Sequence, residues 1–236
     1  MAELERRLAE LAADRTSGAM ALAEATFDLG EQWLLAGRDP IQLQRELEKA
    51  HPALLAVHNA ARAVASGDLA RVRELRQRLP QQLERIVERA AQNLPRRASW
   101  ITLSASSTVL AALRRLEPLR AIALQSLPGG EGERFAVELE AALTDAEVRC
   151  EPDAAMGRLI PAVHAALVGV DGYDAQRNLV HKVGTLPLAL CCRRFGKPFY
   201  AVGHSLKRSD ALLSEPPDPL FDLTPGDLVT AILDDV

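Results

Sequence analysis

Aromatic residues are scarce in this 236-residue chain: two tryptophans, two tyrosines and five phenylalanines make up 4% of it, although 48% is apolar. Its core must therefore be built mainly from leucine, alanine and valine. There are three cysteines, Cys150, Cys191 and Cys192. The odd count, the missing Cys-x-x-Cys and the adjacency of two of them argue against a disulfide framework and against zinc, and fit a reducing cytoplasm. No run approaches the roughly 18 apolar residues of a membrane helix, and "MAELERRLAELAADR" lacks the apolar core of a signal peptide. A soluble, cytoplasmic protein without a membrane or metal partner is expected. The net charge of −4 argues against a general nucleic-acid binder. The arginines between Arg71 and Arg97 alternate with Glu74, Glu84 and Glu88 at helical spacing, the pattern of a solvated face.

What is present divides into two rhythms. Residues 1–97 read as successive helices. Leu4, Leu8 and Leu11 fall on one face, Gly18 interrupts, and Asp39-Pro40 supplies a cap and a first-turn proline. Pro52, Ser66-Gly67-Asp68 and Pro80 punctuate further helices. From residue 98 to 236 five short apolar runs appear: "WITLSA", "RAIALQS", "EVRCEP", "AALVGV" and "PFYAVG". Helical patterns at 106–116, 131–143, 154–160 and 183–195 separate them. Strands alternating with helices predict an α/β region, a Rossmann-like, doubly wound, mostly parallel sheet following an all-helical N-terminal domain. Thr224, Pro225 and Asp227 carry the signature of a final helix start.

In such a sheet ligands bind at the carboxyl ends of the strands. The first strand delivers Ser104, Ser106 and Ser107 to a helix start, where hydroxyls and free amides suit a phosphate or serve simply as caps. The second delivers "LPGGEGE", a glycine turn that does not match a phosphate-binding loop. The fourth delivers Asp171, followed by a helix opening at His181-Lys182-Val183-Gly184-Thr185; the fifth delivers His204, Ser205 and Lys207. A rim with two lysines, an acid and a serine-lined helix start fits a phosphorylated ligand beside an acid–base group; solvated loop charges are the plainer alternative. His51, His58 and His164 read as structural.

The stretches "ITLSASSTVLAAL", "SLPGGEGERFAVEL", "ALVGVDGYDAQRNLVHKVGTLPLAL", "FGKPFYAVGHSLK" and "FDLTPGDLVTAI" resemble one family across residues 99–236. It unites the alpha, beta and delta regulatory subunits of the exchange factor for initiation factor two with methylthioribose-1-phosphate and ribose-1,5-bisphosphate isomerases. The resemblance implies a helical N-terminal domain, a Rossmann-like C-terminal domain, a homo-oligomer and no cofactor. It implies a phosphosugar or nucleotide as ligand, held by Ser106, Ser107, His181, Lys182, Gly184, Thr185 and Lys207. The isomerases work with a cysteine and an aspartate. Asp171 matches the aspartate, while Ser104 stands at the cysteine, and an alkoxyl proton is far less acidic than a thiol. Ser17, His51 and Leu127 stand where isomerases have phosphate-holding arginines. Three such losses, at about 1.5–3 kcal/mol per charge-assisted contact, would cost affinity by orders of magnitude. The pattern implies the regulatory branch, with weak or no isomerase activity; an active aldose–ketose isomerase and a purely structural assembly subunit are the alternatives.

Overall fold

The computed structural model describes residues 2–211, 216 and 218–236. Much of the Pro-rich loop read before Phe221 lies outside the described residues. Five helices come first: α1 (Ala2–Ala13), α2 (Ala19–Leu35), α3 (Pro40–Ala50), α4 (Leu55–Ala65) and α5 (Leu69–Asn93). Leu8, Phe27, Trp33, Leu43, Val57 and Val72 meet in their common core. The Asp39 carboxylate accepts from the Ile41 amide at 3.0 Å, so the start of α3 forms as its sequence predicts. Asp68 caps α5 in the same way, through the Arg71 amide.

Pro80 does not end a helix, contrary to expectation: α5 runs through it. The proline costs one amide, leaving the Arg76 carbonyl without its usual helical donor. Packing on both sides outweighs that loss. Val72 and Leu79 are buried in the helical core, while Ile86 and Ala90 are buried against the sheet region.

All five expected strands are present: β1 (Ser99–Thr102), β2 (Arg120–Leu124), β3 (Glu147–Glu151), β4 (Ala165–Val168) and, after the short strands β5 (Gly172–Tyr173) and β6 (Leu179–Lys182), β7 (Phe199–Val202). The C-terminal segment corrects the predicted final helix. Thr224 ends a strand, β8 (Phe221–Thr224), and a single 3-10 turn leads to β9 (Ala231–Leu233). β9 pairs in parallel with β7, and this tertiary pairing overrides the local cap signal.

The main sheet is parallel throughout, in the order β3-β2-β1-β4-β7-β9. Alternation along β1 sends Trp100 to one face and Ile101 to the other. On the first face lie α5, α6 (Ser107–Leu116) and α7 (Glu131–Ala142); on the second lie α8 (Met156–Leu159) and α9 (Thr185–Arg194). A smaller antiparallel sheet, β5-β6-β8, sits beside the carboxyl end of β4. Among the described residues no helix is long and apolar enough to cross a membrane.

Candidate functional site

The strand order turns back between β1 and β4, which opens a crevice outside their carboxyl ends. Gly169, just past β4, lets the walls of that crevice approach. A Cβ there would lie 2.9 Å from Ser106 Oγ and 3.3 Å from His181 Nε2. Ser106 also caps α6, accepting from the Val109 amide at 3.3 Å. Ser107, the first residue of that helix, is exposed.

Ser104 adopts left-handed backbone geometry, φ 68°, uncommon for a residue with a Cβ. Two contacts hold it there. Its amide donates to Ser126 Oγ at 2.7 Å, and its hydroxyl donates to Glu131 Oε1 at 3.0 Å. The same carboxylate oxygen lies 3.2 Å from Lys182 Nζ, with both side chains mostly buried. Ser126 is left-handed as well, and Asp153 fixes its loop by accepting from the Ser126 and Leu127 amides, each at 2.8 Å. The glycine turn after β2 thus carries Glu131 into the crevice. Glu131, Asp153 and Asp222 were not among the residues singled out from sequence; of the three, Asp153 alone stands just past a strand end, two residues beyond β3, whereas Glu131 opens α7 and Asp222 lies within β8.

Lys182 does not open a helix, as the sequence reading had it. His181 and Lys182 close strand β6, which pairs with β8, and α9 begins only at Thr185. The amides of Gly184 and Leu186 at that helix start donate to Asp222 Oδ2, at 2.7 and 3.1 Å. The Thr185 hydroxyl donates to the Lys182 carbonyl at 2.6 Å, which commits its only proton. Thr185 Oγ1, 3.1 Å from His181 Nδ1, must therefore accept from that nitrogen. Burial holds the His181 pKa below its ordinary value, so the ring is neutral at pH 7 and its Nε2 lone pair faces the crevice.

Lys207 is buried and donates from Nζ to the Val170 carbonyl at 2.5 Å. Burial lowers its pKa, opposed by the charge of Asp171. Asp171 is half-buried; its amide donates to Val180 O and its carbonyl accepts from the Leu55 amide, which ties α4 to the rim. His204, also buried, has an Nδ1 without a hydrogen-bond partner among the described residues, and its pKa is lowered to about 4 by burial and by Lys207.

Ser104, Ser106, Asp171, His181, Lys182, Thr185 and Lys207 thus gather around one crevice. The positions matched to phosphate arginines offer no cation. Ser17 is exposed, Leu127 is exposed, and buried His51 donates from Nε2 to the Leu11 carbonyl at 2.9 Å. Shallow hollows also occur on the helical half, one of about 230 Å³ beside Arg7, Glu10 and Asp14 and one of about 300 Å³ beside Glu31, Arg73 and Arg76. Their acids and bases pair with one another or with close neighbours, and neither collects an acid–base set like that of the crevice.

The fold has counterparts in known proteins. The crystal structure of the Pyrococcus horikoshii OT3 translation initiation factor eIF-2B superposes with a TM-score of 0.84 at 27% identity, covering 99% of this chain and 95% of that one. The 5-methylthioribose 1-phosphate isomerase of the same organism shares the fold, with a TM-score of 0.72 at 18% identity and coverage of 98% and 83%. Among curated relatives, the Dictyostelium discoideum translation initiation factor eIF2B subunit alpha is 31% identical over 36% of this chain and 26% of its own. The methylthioribose-1-phosphate isomerase of Parasynechococcus marenigrum is 37% identical over 34% of this chain and 33% of its own. The chain therefore spans a third or less of either curated relative. The sequence model of one family matches residues 41–215, most of the chain: the protein belongs to the Initiation factor 2 subunit family.

Proposed function

We propose that the chain is a subunit-type member of this family that holds a sugar-class ligand in the crevice without interconverting aldose and ketose phosphates. The contact of the Ser104 hydroxyl with Glu131 carries this reading. A proton shuttle between two sugar carbons needs a group that releases and recovers a proton near neutral pH. Ser104 has an alkoxyl instead of a thiol, and its proton is already donated to a carboxylate. Asp171 alone is half of an acid–base pair. The expected outcome is no ketose product from methylthioribose 1-phosphate or ribose 1,5-bisphosphate under single-turnover conditions. Product that disappears in Asp171→Asn would overturn the reading.

One observation favours a second reading, an active isomerase. His181 offers a buried, neutral Nε2 next to Ser106 and Gly169, and could take the cysteine's part. The same assay on His181→Gln separates the two.

We further infer that the protein works in the cytoplasm as a homo-oligomer, a dimer or larger. This reading is supported by a solved structure of the same fold, the eIF2B-beta2-delta2 complex from C. thermophilum, which is a tetramer. Light scattering should give at least twice the 25.6 kDa chain mass; a monomer at micromolar concentration would sink this part.

A further inference from the structure

Lysine is used sparingly in this chain. Of its 28 lysines and arginines only Lys49, Lys182, Lys197 and Lys207 are lysine, and two of those four are buried at the crevice. Arginine would supply the same charge and more hydrogen bonds, but it cannot act as an amine. The two buried lysines are held differently. Lys182 lies 3.2 Å from a carboxylate oxygen of Glu131, which favours its ammonium form. Lys207 has no carboxylate within ion-pair distance among the described residues; its Nζ donates to a neutral group, the Val170 carbonyl, at 2.5 Å. Burial lowers the Lys207 pKa, which raises the share of free amine at any given pH.

The surroundings of that amine are fixed and reactive. A Cβ on Gly203 would lie 2.3 Å from Val170 Cγ2 and 3.9 Å from Lys207 Cδ, so the glycine lets Val170 and the lysine stem pack on the backbone that follows β7. Asp171 comes directly after Val170, and its charge acts on both Lys207 and His181. Its carboxylate takes no hydrogen bond among the described residues. His181, 3% exposed, adds a neutral ring whose Nε2 is an open acceptor. A desolvated amine beside an uncommitted carboxylate is the pairing that condensation with a carbonyl compound requires. A sugar in its open-chain form carries such a carbonyl.

We infer that Lys207 forms a reversible imine with the aldehyde of an open-chain sugar, and that Asp171 shuttles the protons. This rests on reading the crevice as a sugar site. The Nζ lone pair attacks the aldehyde carbon, and the C–N bond forms as the carbonyl π pair moves to oxygen. Asp171 passes the two amine protons in turn to that oxygen. It leaves as water while the nitrogen lone pair closes the C=N bond. Addition of water reverses each step and returns the same aldose, so the ligand is held without being interconverted. Lys182 keeps N–H groups besides the one facing Glu131, and these suit the phosphate of a phosphorylated sugar.

The test is reductive trapping on the full chain. The wild type is incubated at pH 7 with sodium cyanoborohydride and D-erythrose 4-phosphate, whose esterified 4-hydroxyl cannot close a furanose ring. Peptide mass spectrometry then follows each lysine. Lys49, exposed, and Lys197, partly exposed, are internal controls. Lys207 should be trapped at least about tenfold faster than either, because exposed amines are almost fully protonated at this pH. Asp171→Asn should slow trapping at Lys207 by about tenfold or more. Lys207→Arg keeps the cation and should abolish the adduct at that position, with Lys49 and Lys197 labelled as before; Lys207→Met serves should the arginine form fold poorly. Melting of the wild type with erythrose 4-phosphate, without reductant, separates the two levels of the argument. A raised melting temperature with Lys207 trapped no faster than the controls would overturn the imine while leaving the sugar site standing. Neither a rise nor trapping would overturn the sugar site and the imine together. Trapping at Lys207 that Asp171→Asn leaves unchanged would overturn the role of Asp171.

Discussion

Gly132→Ala is expected to fail to fold, or to melt at least about 10 °C below the parent. Gly132 lies in the first turn of α7, where the helix crosses the end of β2. A Cβ there would sit 1.7 Å from the Leu124 carbonyl oxygen, 2.8 Å from its carbon and 2.9 Å from the Gln125 carbonyl carbon. All three are backbone atoms, so no rotamer change relieves the overlap; α7 must lift from the sheet. Phe135 and Leu139 on that helix are fully buried, and lifting it would open cavities beneath both. Overpacking combined with lost burial costs about 4 kcal/mol or more, against total stabilities of about 5–15 kcal/mol. At about 2–4 °C per kcal/mol for a chain of this size the melting shift follows. Gly129→Ala is the control. Its Cβ would meet Glu131 Oε2 at 2.3 Å and Lys182 Nζ at 2.8 Å, both ends of flexible side chains, so it should fold with a smaller loss. Thermal denaturation followed by circular dichroism decides; a Gly132→Ala variant melting within about 2 °C of the parent would show that α7 can slide.

Acidification is the second large effect. His204 has a folded-state pKa of about 4 against an ordinary 6.5, because burial and Lys207 both disfavour its charged form. Between these values the unfolded chain binds a proton that the folded chain does not. Stability therefore falls as pH drops through 6.5 and goes on falling until about 4. The full displacement amounts to about 3 kcal/mol. His181, His51 and His58, all held low by burial, push in the same direction. The urea midpoint should decline steeply from pH 7 to 4, and His204→Gln should flatten the lower part of that decline. An unchanged slope in the variant would show that His204 is not buried as described.

The parallel sheet was legible because a strand buried on both faces must be an apolar run. β1, β2, β4 and β7 are all of that kind. The short strands were not. β6 is four residues long and ends in His181-Lys182, and its pairing with the two-residue β5 and with β8, some forty residues later, makes it a strand. Lys182 thus looked like a helix start. Thr224-Pro225 misled in the opposite direction: a good cap sequence is a local preference, and the Gly226 amide donates instead to Asn178 Oδ1 while the chain goes on to join β7. Asp171, Lys182 and Lys207 could be collected at strand ends before any contact was known. Glu131 could not, since nothing local tells that the turn after β2 folds a carboxylate back onto a lysine fifty-one residues away.

A rod of 25 residues, about 37 Å long, runs through this molecule as α5, with one end set in the helical core and the other against the sheet. It works as a splint. Neither half can rotate against the other without bending a helix or baring a core, so the two should melt as one cooperative unit. The tie from Leu55 to Asp171 adds a cross-brace at the crevice itself, so a push on the helical region should reach the crevice rim as a rigid-body shift rather than be dissipated in a linker.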